Sequence, residues 1–150
     1  MISLFIDTSL ISVSISVIKD NKVLLIKKSE KDELNPNRYE FPGGRLSYGE
    51  DLDAHIKNKV RGEVGLEVEP GELFDMWQFK IEAKDLNIMV VAVARFCSVL
   101  SGEISVVEED IAGYKWVSID ENLLKLDLIP GVRKTMEKLV NSYKKQKNFK

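Results

Sequence analysis

The residues of this chain best suited to chemistry lie in Phe41-Pro42-Gly43-Gly44-Arg45-Leu46-Ser47-Tyr48-Gly49-Glu50 and in Gly62-Glu63-Val64-Gly65-Leu66. Two adjacent glycines let the backbone approach a ligand without side-chain obstruction. They lead into a predicted helix start at which Ser47 and Glu50 have the spacing of a capping box. Amides and dipole at such a start favour an anion. Leu52, Ile56 and Val60 recur every fourth residue and form the buried stripe of the helix. Glu63 projects within about 20° of Leu52 at 3.6 residues per turn. Its carboxylate therefore falls inside the apolar stripe, where it is costly to desolvate unless a cation meets it. Lys59, one turn earlier, is one such cation, and a bound metal ion is the other. Gly62 and Gly65 are expected to end the helix.

Strands and turns must hold this segment in place. Ser12, Ser14 and Ser16 alternate with Ile11, Val13, Ile15 and Val17, the period-two pattern of a half-buried strand. Asp20-Asn21 is a turn signal, and residues 23–26 complete a hairpin. Residues 27–37, with Asn35-Pro36-Asn37, read as a loop. Tyr39-Glu40-Phe41 is a short extended piece that Pro42-Gly43-Gly44 closes, and the helix is expected from about Tyr48. Residues 66–68 and 76–81 read as two strand pieces, and 86–99 as a central strand buried on both faces. A further strand is expected at 114–117 and a short helix at 119–126. The last helix is expected to start at Pro130, with Val132, Met136, Leu139, Val140 and Tyr143 on one face. This order predicts an α+β fold, a mixed sheet with helices packed on its faces.

At 150 residues the chain is one domain's worth, and 44% hydrophobic with 31% charged residues excludes a disordered protein. Its 22 basic and 24 acidic residues leave a net charge of −2, so no global cationic field draws it to nucleic acid or anionic membrane. The single cysteine, Cys97, excludes an internal disulfide and a Cys-rich zinc site, and its apolar setting suits a reducing compartment. Residues 1–18 lack a basic leader and carry Asp7 and five serines, unlike a signal peptide or membrane helix. The expectation is a cytoplasmic protein. Residues 2–6 form a strand without an evident partner and would suit pairing across a homodimer. The tail Lys144-Lys145-Gln146-Lys147 complements the helix dipole, stays solvated, or serves as a nucleic-acid arm.

The glycine-framed segment resembles the Nudix hydrolases (MutT-like). Their box is Gly, five residues, Glu, seven residues, Arg-Glu, an aliphatic, any residue, Glu-Glu, any residue, Gly and an aliphatic. Gly44, Glu50, Val60, Glu63, Gly65 and Leu66 fall on box positions. Tyr39-Glu40-Phe41-Pro42-Gly43-Gly44 resembles the approach to the box, and Tyr114-Lys115-Trp116-Val117-Ser118-Ile119-Asp120 resembles the late strand and its turn. The similarity spans about residues 11–143 and leaves a basic tail at 144–150. It implies a single domain with the Nudix-type α/β/α sandwich.

The resemblance also implies a chemistry, metal-assisted cleavage of a phosphoanhydride in a nucleoside diphosphate linked to another group. Glu63, Glu50 and the Gly43 carbonyl are then the implied ligands of Mg²⁺ or Mn²⁺, and Glu63 a candidate base. Glu108, Glu109 and Asp110 lie where many Nudix enzymes carry a further ligand or base, and Glu109 is the one selected as catalytic. A solvated acidic turn is the other reading of that loop.

Three box positions depart from the pattern: Asn58 stands for Arg, and Lys59 and Gly62 for the first two helix glutamates. A fixed ammonium about 5 Å from a divalent ion costs roughly 6–7 kcal/mol at an effective dielectric of 20. Lys59 would instead pair with Glu63 or meet phosphate directly, with Arg45 and Gly44 as further phosphate contacts. His55, the only histidine, reads as a packing or surface residue. Tyr39, Tyr48, Trp77 and Phe79 are either core aromatics or a stacking platform for a base. The alternative function is a catalytically impaired Nudix fold that binds a nucleotide-like ligand or partner without hydrolysis.

Overall fold

The computed structural model describes the backbone of residues 6–83, 86–129 and 131–148, and the side chains of 9–82, 87–129 and 131–145. The expected cross-dimer strand at 2–6, apart from Ile6, and the helix start at Pro130 lie outside these residues. The elements are β1 (Ile6–Lys19), β2 (Lys22–Lys28), β3 (Tyr39–Glu40), β4 (Gly43–Arg45), α1 (Leu52–Val64), β5 (Glu67–Ala83), β6 (Leu86–Ser101), β7 (Ile111–Ser118), a 3₁₀ turn (Glu121–Lys125) and α2 (Val132–Asn148).

The sheet is mixed, as expected. Its seven strands follow the order β3-β2-β1-β6-β5, with β4 also on β1 and β7 on β2. The β1/β6 pair is parallel and the other pairs are antiparallel. Alternation along β1 decides which helix covers which face. Val13, Ile15 and Val17 pack with Ile56, Val60 and Val64 of α1. On the opposite face Phe96 joins Val23, Leu25 and Phe41 against Met136, Leu139 and Val140 of α2. The expected apolar face of α2 is thus the packed one. An ion pair of 2.7 Å between Lys138 and the buried Asp75 fixes α2 to β5.

Local chemistry explains the turns. Asp20 and Asn21 both take positive φ, 52° and 63°, the geometry of a tight two-residue hairpin turn. Residues 66–68 and 76–81 prove to belong almost wholly to one strand, β5, whose pairing to β6 shifts near Glu67/Val68 and between Pro70 and Asp75. Proline and glycine at 70 and 71 force that irregularity and break the alternation by which a continuous strand is read. The short helix at 119–126 is a 3₁₀ turn, begun by Asp120 accepting from the Asn122 amide at 2.8 Å. Within the basic tail, Lys144 is a residue of α2 and pairs with Glu121 at 2.7 Å. Cys97 is buried, and burial pushes its thiol up to about 12. No helix among the described residues is long and apolar enough to cross a membrane.

Both ends of α1 differ from the expectation. The helix starts at Leu52, and Asp51 is its cap, accepting from the Ala54 amide at 3.0 Å. Ser47 and Glu50 do meet, with the Ser47 amide donating to Glu50 Oε1 at 3.0 Å, but they close a turn ahead of the helix. Gly49, between them, sits at φ 78° and stops the helix from extending back to Tyr48. At the far end Gly62 stays inside the helix. Gly65, at φ 77°, is the left-handed cap, and its amide donates to Arg61 at 3.0 Å.

Candidate active site

Three elements converge on the glycine pair. Pro42-Gly43-Gly44 does not simply close the extended piece before it, because Gly43–Arg45 forms β4 and pairs with Ser12–Ser14 of β1. Gly43 has φ 146°, and a Cβ there would lie 1.9 Å from the Val13 carbonyl oxygen, so only glycine fits. Gly44 pairs with Val13 and therefore faces α1, whereas Arg45 pairs with Ser12 and faces the other side. The structure brings Gly44 to the helix and turns Arg45, exposed, away from it.

The helix presents His55, Lys59 and Glu63 at successive turns, beside the apolar line of Leu52, Ile56 and Val60. His55 is fully buried, and its two ring nitrogens face Glu50 Oε1 at 2.8 Å and the Gly44 carbonyl at 3.2 Å. Both partners offer acceptor oxygens, so a ring nitrogen that carries a proton donates to one of them. The Ser47 amide, helped by His55 and Lys59, holds the Glu50 carboxyl below the usual carboxylate range. His55 is thus neither a loose surface residue nor simple packing. It clamps the glycine strand to the helix. At the same end of α1, Arg95 bridges Asp53 (2.8 Å) and the Gly71 carbonyl (2.6 Å), fixing the helix on the bulged part of β5.

Lys59 lies over Gly44. Its Cε and Nζ are 3.3 Å and 3.4 Å from where a Gly44 Cβ would stand. The expected Lys59–Glu63 ion pair is not made, since Lys59 joins none of the salt bridges among the described residues. The ammonium acts on Glu63 only at longer range. Its lean over the glycine strand takes it out of contact.

Glu63 is 6% exposed, and its Oε2 has no hydrogen-bond partner. Burial pushes its carboxyl up to about 7; the charges of Glu108 and Glu40 add to the rise, and a hydrogen bond from the Gly43 main chain and the Lys59 charge oppose it. The acidic-loop residue that acts on Glu63 is Glu108. Glu109 is exposed and lines a cavity of about 550 Å³ with Ser29, Lys31, Asp32 and Asp110. A second cavity, about 310 Å³, lies at the other end of the sheet among Ser9, Lys80, Ile81, Glu82, Asn87, Ile88 and Met89, clear of these groups.

Glu40 is a site carboxylate that the sequence reading did not select. It pairs with Lys28 at 3.1 Å, yet burial still holds its carboxyl above the ordinary value. The signal was present in Tyr39-Glu40-Phe41, where a lone acid stands between two aromatic residues just before the glycines. Of those aromatics, Trp77 and Phe79 pair with Ala92 and Val90 on the face away from α1, and Tyr48 is fully exposed. They form no platform beside Glu63. Tyr39 packs into the α2-side core.

The sequence profile of the NUDIX domain matches residues 8–139. The chain belongs to the NUDIX domain family. Solved structures agree on the fold. A MutT NUDIX hydrolase from Burkholderia pseudomallei aligns with TM-score 0.70 at 23% identity, over 87% of this chain and 97% of that one. A MutT protein from Methanosarcina mazei Go1 aligns with TM-score 0.69 at 21% identity, over 92% and 97%. A UDP-X diphosphatase aligns with TM-score 0.70 at 18% identity, over 92% of this chain and 64% of that one. Among curated proteins none matches the sequence.

Nudix hydrolases generally use divalent metals such as Mg²⁺ or Mn²⁺, and the donors here fit such an ion poorly. Magnesium requires about six oxygens in near-octahedral array. Glu50 Oε1 is engaged by His55 and Ser47, the Gly44 carbonyl faces His55, and Gly62 carries no side chain. Glu63 Oε2 is buried without a partner, and Lys59 brings positive charge close to it. Among the described residues no three His, Cys, Asp or Glu side chains are grouped to hold an ion.

Proposed function

We propose that this Nudix protein hydrolyses a phosphoanhydride in a nucleoside diphosphate linked to another group. The observation that carries the reading is the buried Glu63, whose unpartnered Oε2 lies in a glycine-framed cradle near Lys59, which makes no ion pair among the described residues. A buried carboxylate without a partner is expensive, and such groups concentrate at functional sites. The structural neighbour named as a UDP-X diphosphatase lends the substrate class.

In this scheme a water oxygen attacks one phosphorus of the anhydride. Its proton passes to Glu63 Oε2, the bridging P–O bond breaks, and two phosphate-ended products leave. Lys59 offsets charge on the non-bridging oxygens, and the missing side chain of Gly44 leaves room for its ammonium. A carboxyl near 7 is well matched to accepting a proton at neutral pH. Arg45, on the other face of β4, takes no part.

The test is a panel of nucleoside triphosphates, UDP-sugars, ADP-ribose and dinucleoside polyphosphates, each followed for phosphate-ended products with and without divalent metal. Turnover of a diphosphate-linked nucleoside is expected. Absence of turnover across the panel would contradict hydrolysis. Lys59 and Gly62 favour the second reading, ligand binding without cleavage, which predicts saturable nucleotide binding and no product under any condition.

A further inference from the structure

We infer that Lys59 is the resident cation of this site: its ammonium does the charge-neutralising work of a divalent ion, so a pyrophosphate group binds here without metal. The inference rests on the proposed phosphoanhydride cleft and deepens it by naming what recognises the ligand.

Three observations carry it. First, the Lys59 ammonium lies against Gly44, 3.4 Å from where a Cβ would stand, in room that only a glycine leaves. Second, that ammonium makes no ion pair among the described residues, although Glu50 and Glu63 both feel its charge. Glu50 Oε1 accepts from Ser47 and faces His55, and Glu63 accepts from the Gly43 main chain, so neither carboxylate closes on the lysine. The lysine is therefore left free to receive an anion. Third, position 62 opens onto space, with nothing within 4 Å of where a Cβ would stand. A carboxylate would fit there, so its absence is not a packing demand. Set against the Nudix box, α1 carries a cation at 59 and no side chain at 62 in place of two acids, which lowers the demand for metal and raises the affinity for bare phosphate. A lysine does this as a compact point charge with three donors.

The experiment uses the full chain and two probes, inorganic pyrophosphate and Mn²⁺. Pyrophosphate binding is measured by calorimetry in EDTA, and Mn²⁺ binding by loss of the free-ion electron paramagnetic resonance signal. Wild type is expected to bind pyrophosphate in EDTA. Lys59→Gln should weaken that binding at least tenfold, and Lys59→Arg should stay within about threefold, with thermal melts confirming that both variants fold. Wild type should leave the Mn²⁺ signal unchanged, and Lys59→Glu with Gly62→Glu should bind Mn²⁺. Stoichiometric Mn²⁺ binding by wild type, or pyrophosphate binding only when Mn²⁺ is present, would overturn the inference while leaving the hydrolase reading intact. A folded double variant that still ignores Mn²⁺ also counts against it, since the lysine would then not be what displaces the ion. Pyrophosphate binding in EDTA without turnover of any nucleotide supports the inference and removes the hydrolase reading. Failure to bind pyrophosphate with or without metal overturns the inference, while the hydrolase reading then rests on nucleotide turnover alone.

Discussion

Replacing Glu63 by Gln tests the energetics of the site through pH. The wild-type carboxyl sits at about 7 in the folded protein against an ordinary 4.5. Below pH 4.5 it is protonated in both states, and its titration adds no cost. As pH rises from 4.5 to 7 the unfolded chain releases the proton first, so stability falls across that window and levels off above it. At 1.36 kcal/mol per pH unit, the full penalty is about 3 kcal/mol by pH 8. For a domain of this size each kcal/mol moves Tm by about 2–4 °C. Glutamine does not titrate, and its own packing cost is independent of pH. The other ionisable groups are common to both proteins, and all but those coupled to Glu63 (Glu40, Glu108 and Lys59) cancel in the difference. Thermal melts of the two from pH 4 to 8.5 should therefore show Glu63→Gln gaining on wild type by roughly 6–12 °C between pH 4.5 and 8. A difference that stays flat with pH, or that widens in favour of wild type, would refute the claim that the carboxylate is buried without a sufficient partner.

Other substitutions probe the frame around it. His55→Ala removes a fully buried ring with two polar partners and should cost about 2–4 kcal/mol in urea denaturation. Gly43→Ala would place a methyl 1.9 Å from the Val13 carbonyl, and circular dichroism should show a gross loss of folded protein. Gly62→Ala, in an open position inside α1, should instead stabilise by about 0.5–1 kcal/mol in the same assay. Equal effects at the two glycines would contradict the roles assigned to them.

The fold was largely legible because its main signals are local and periodic. The serine/aliphatic alternation of β1 and the four-residue repeat of Leu52, Ile56 and Val60 each report one buried face, and both faces are where the pattern puts them. Misreadings occur where a backbone special overrides a side-chain pattern. Ser47 and Glu50 have capping-box spacing, but the positive φ of Gly49 moves the cap to Asp51 and the helix start to Leu52. Pro70-Gly71 interrupts alternation without ending the strand, so β5 looked like two pieces.

The site was legible in part. The spacing of Gly44 and Glu63 carries their positions, and the desolvated carboxylate follows from helix geometry alone. That Lys59 leans over Gly44 instead of meeting Glu63 depends on the crossing of α1 and β4, which no local pattern encodes. The same holds for Glu40, drawn in by tertiary burial, and for His55, whose two partners come from the turn before α1 and from β4. His55, Lys59 and Glu63 do share a four-residue period, and that second line beside the apolar one was the available signal.

The most direct test of the account compares the rate of product release from a diphosphate-linked nucleoside by wild type and by Glu63→Gln at pH 8, with thermal melts confirming that both are folded. General-base catalysis contributes about 10²–10⁴-fold, so the variant should lose at least about a hundredfold in kcat while its ligand affinity changes little. Turnover by the folded variant equal to that of wild type would contradict Glu63 as the proton acceptor.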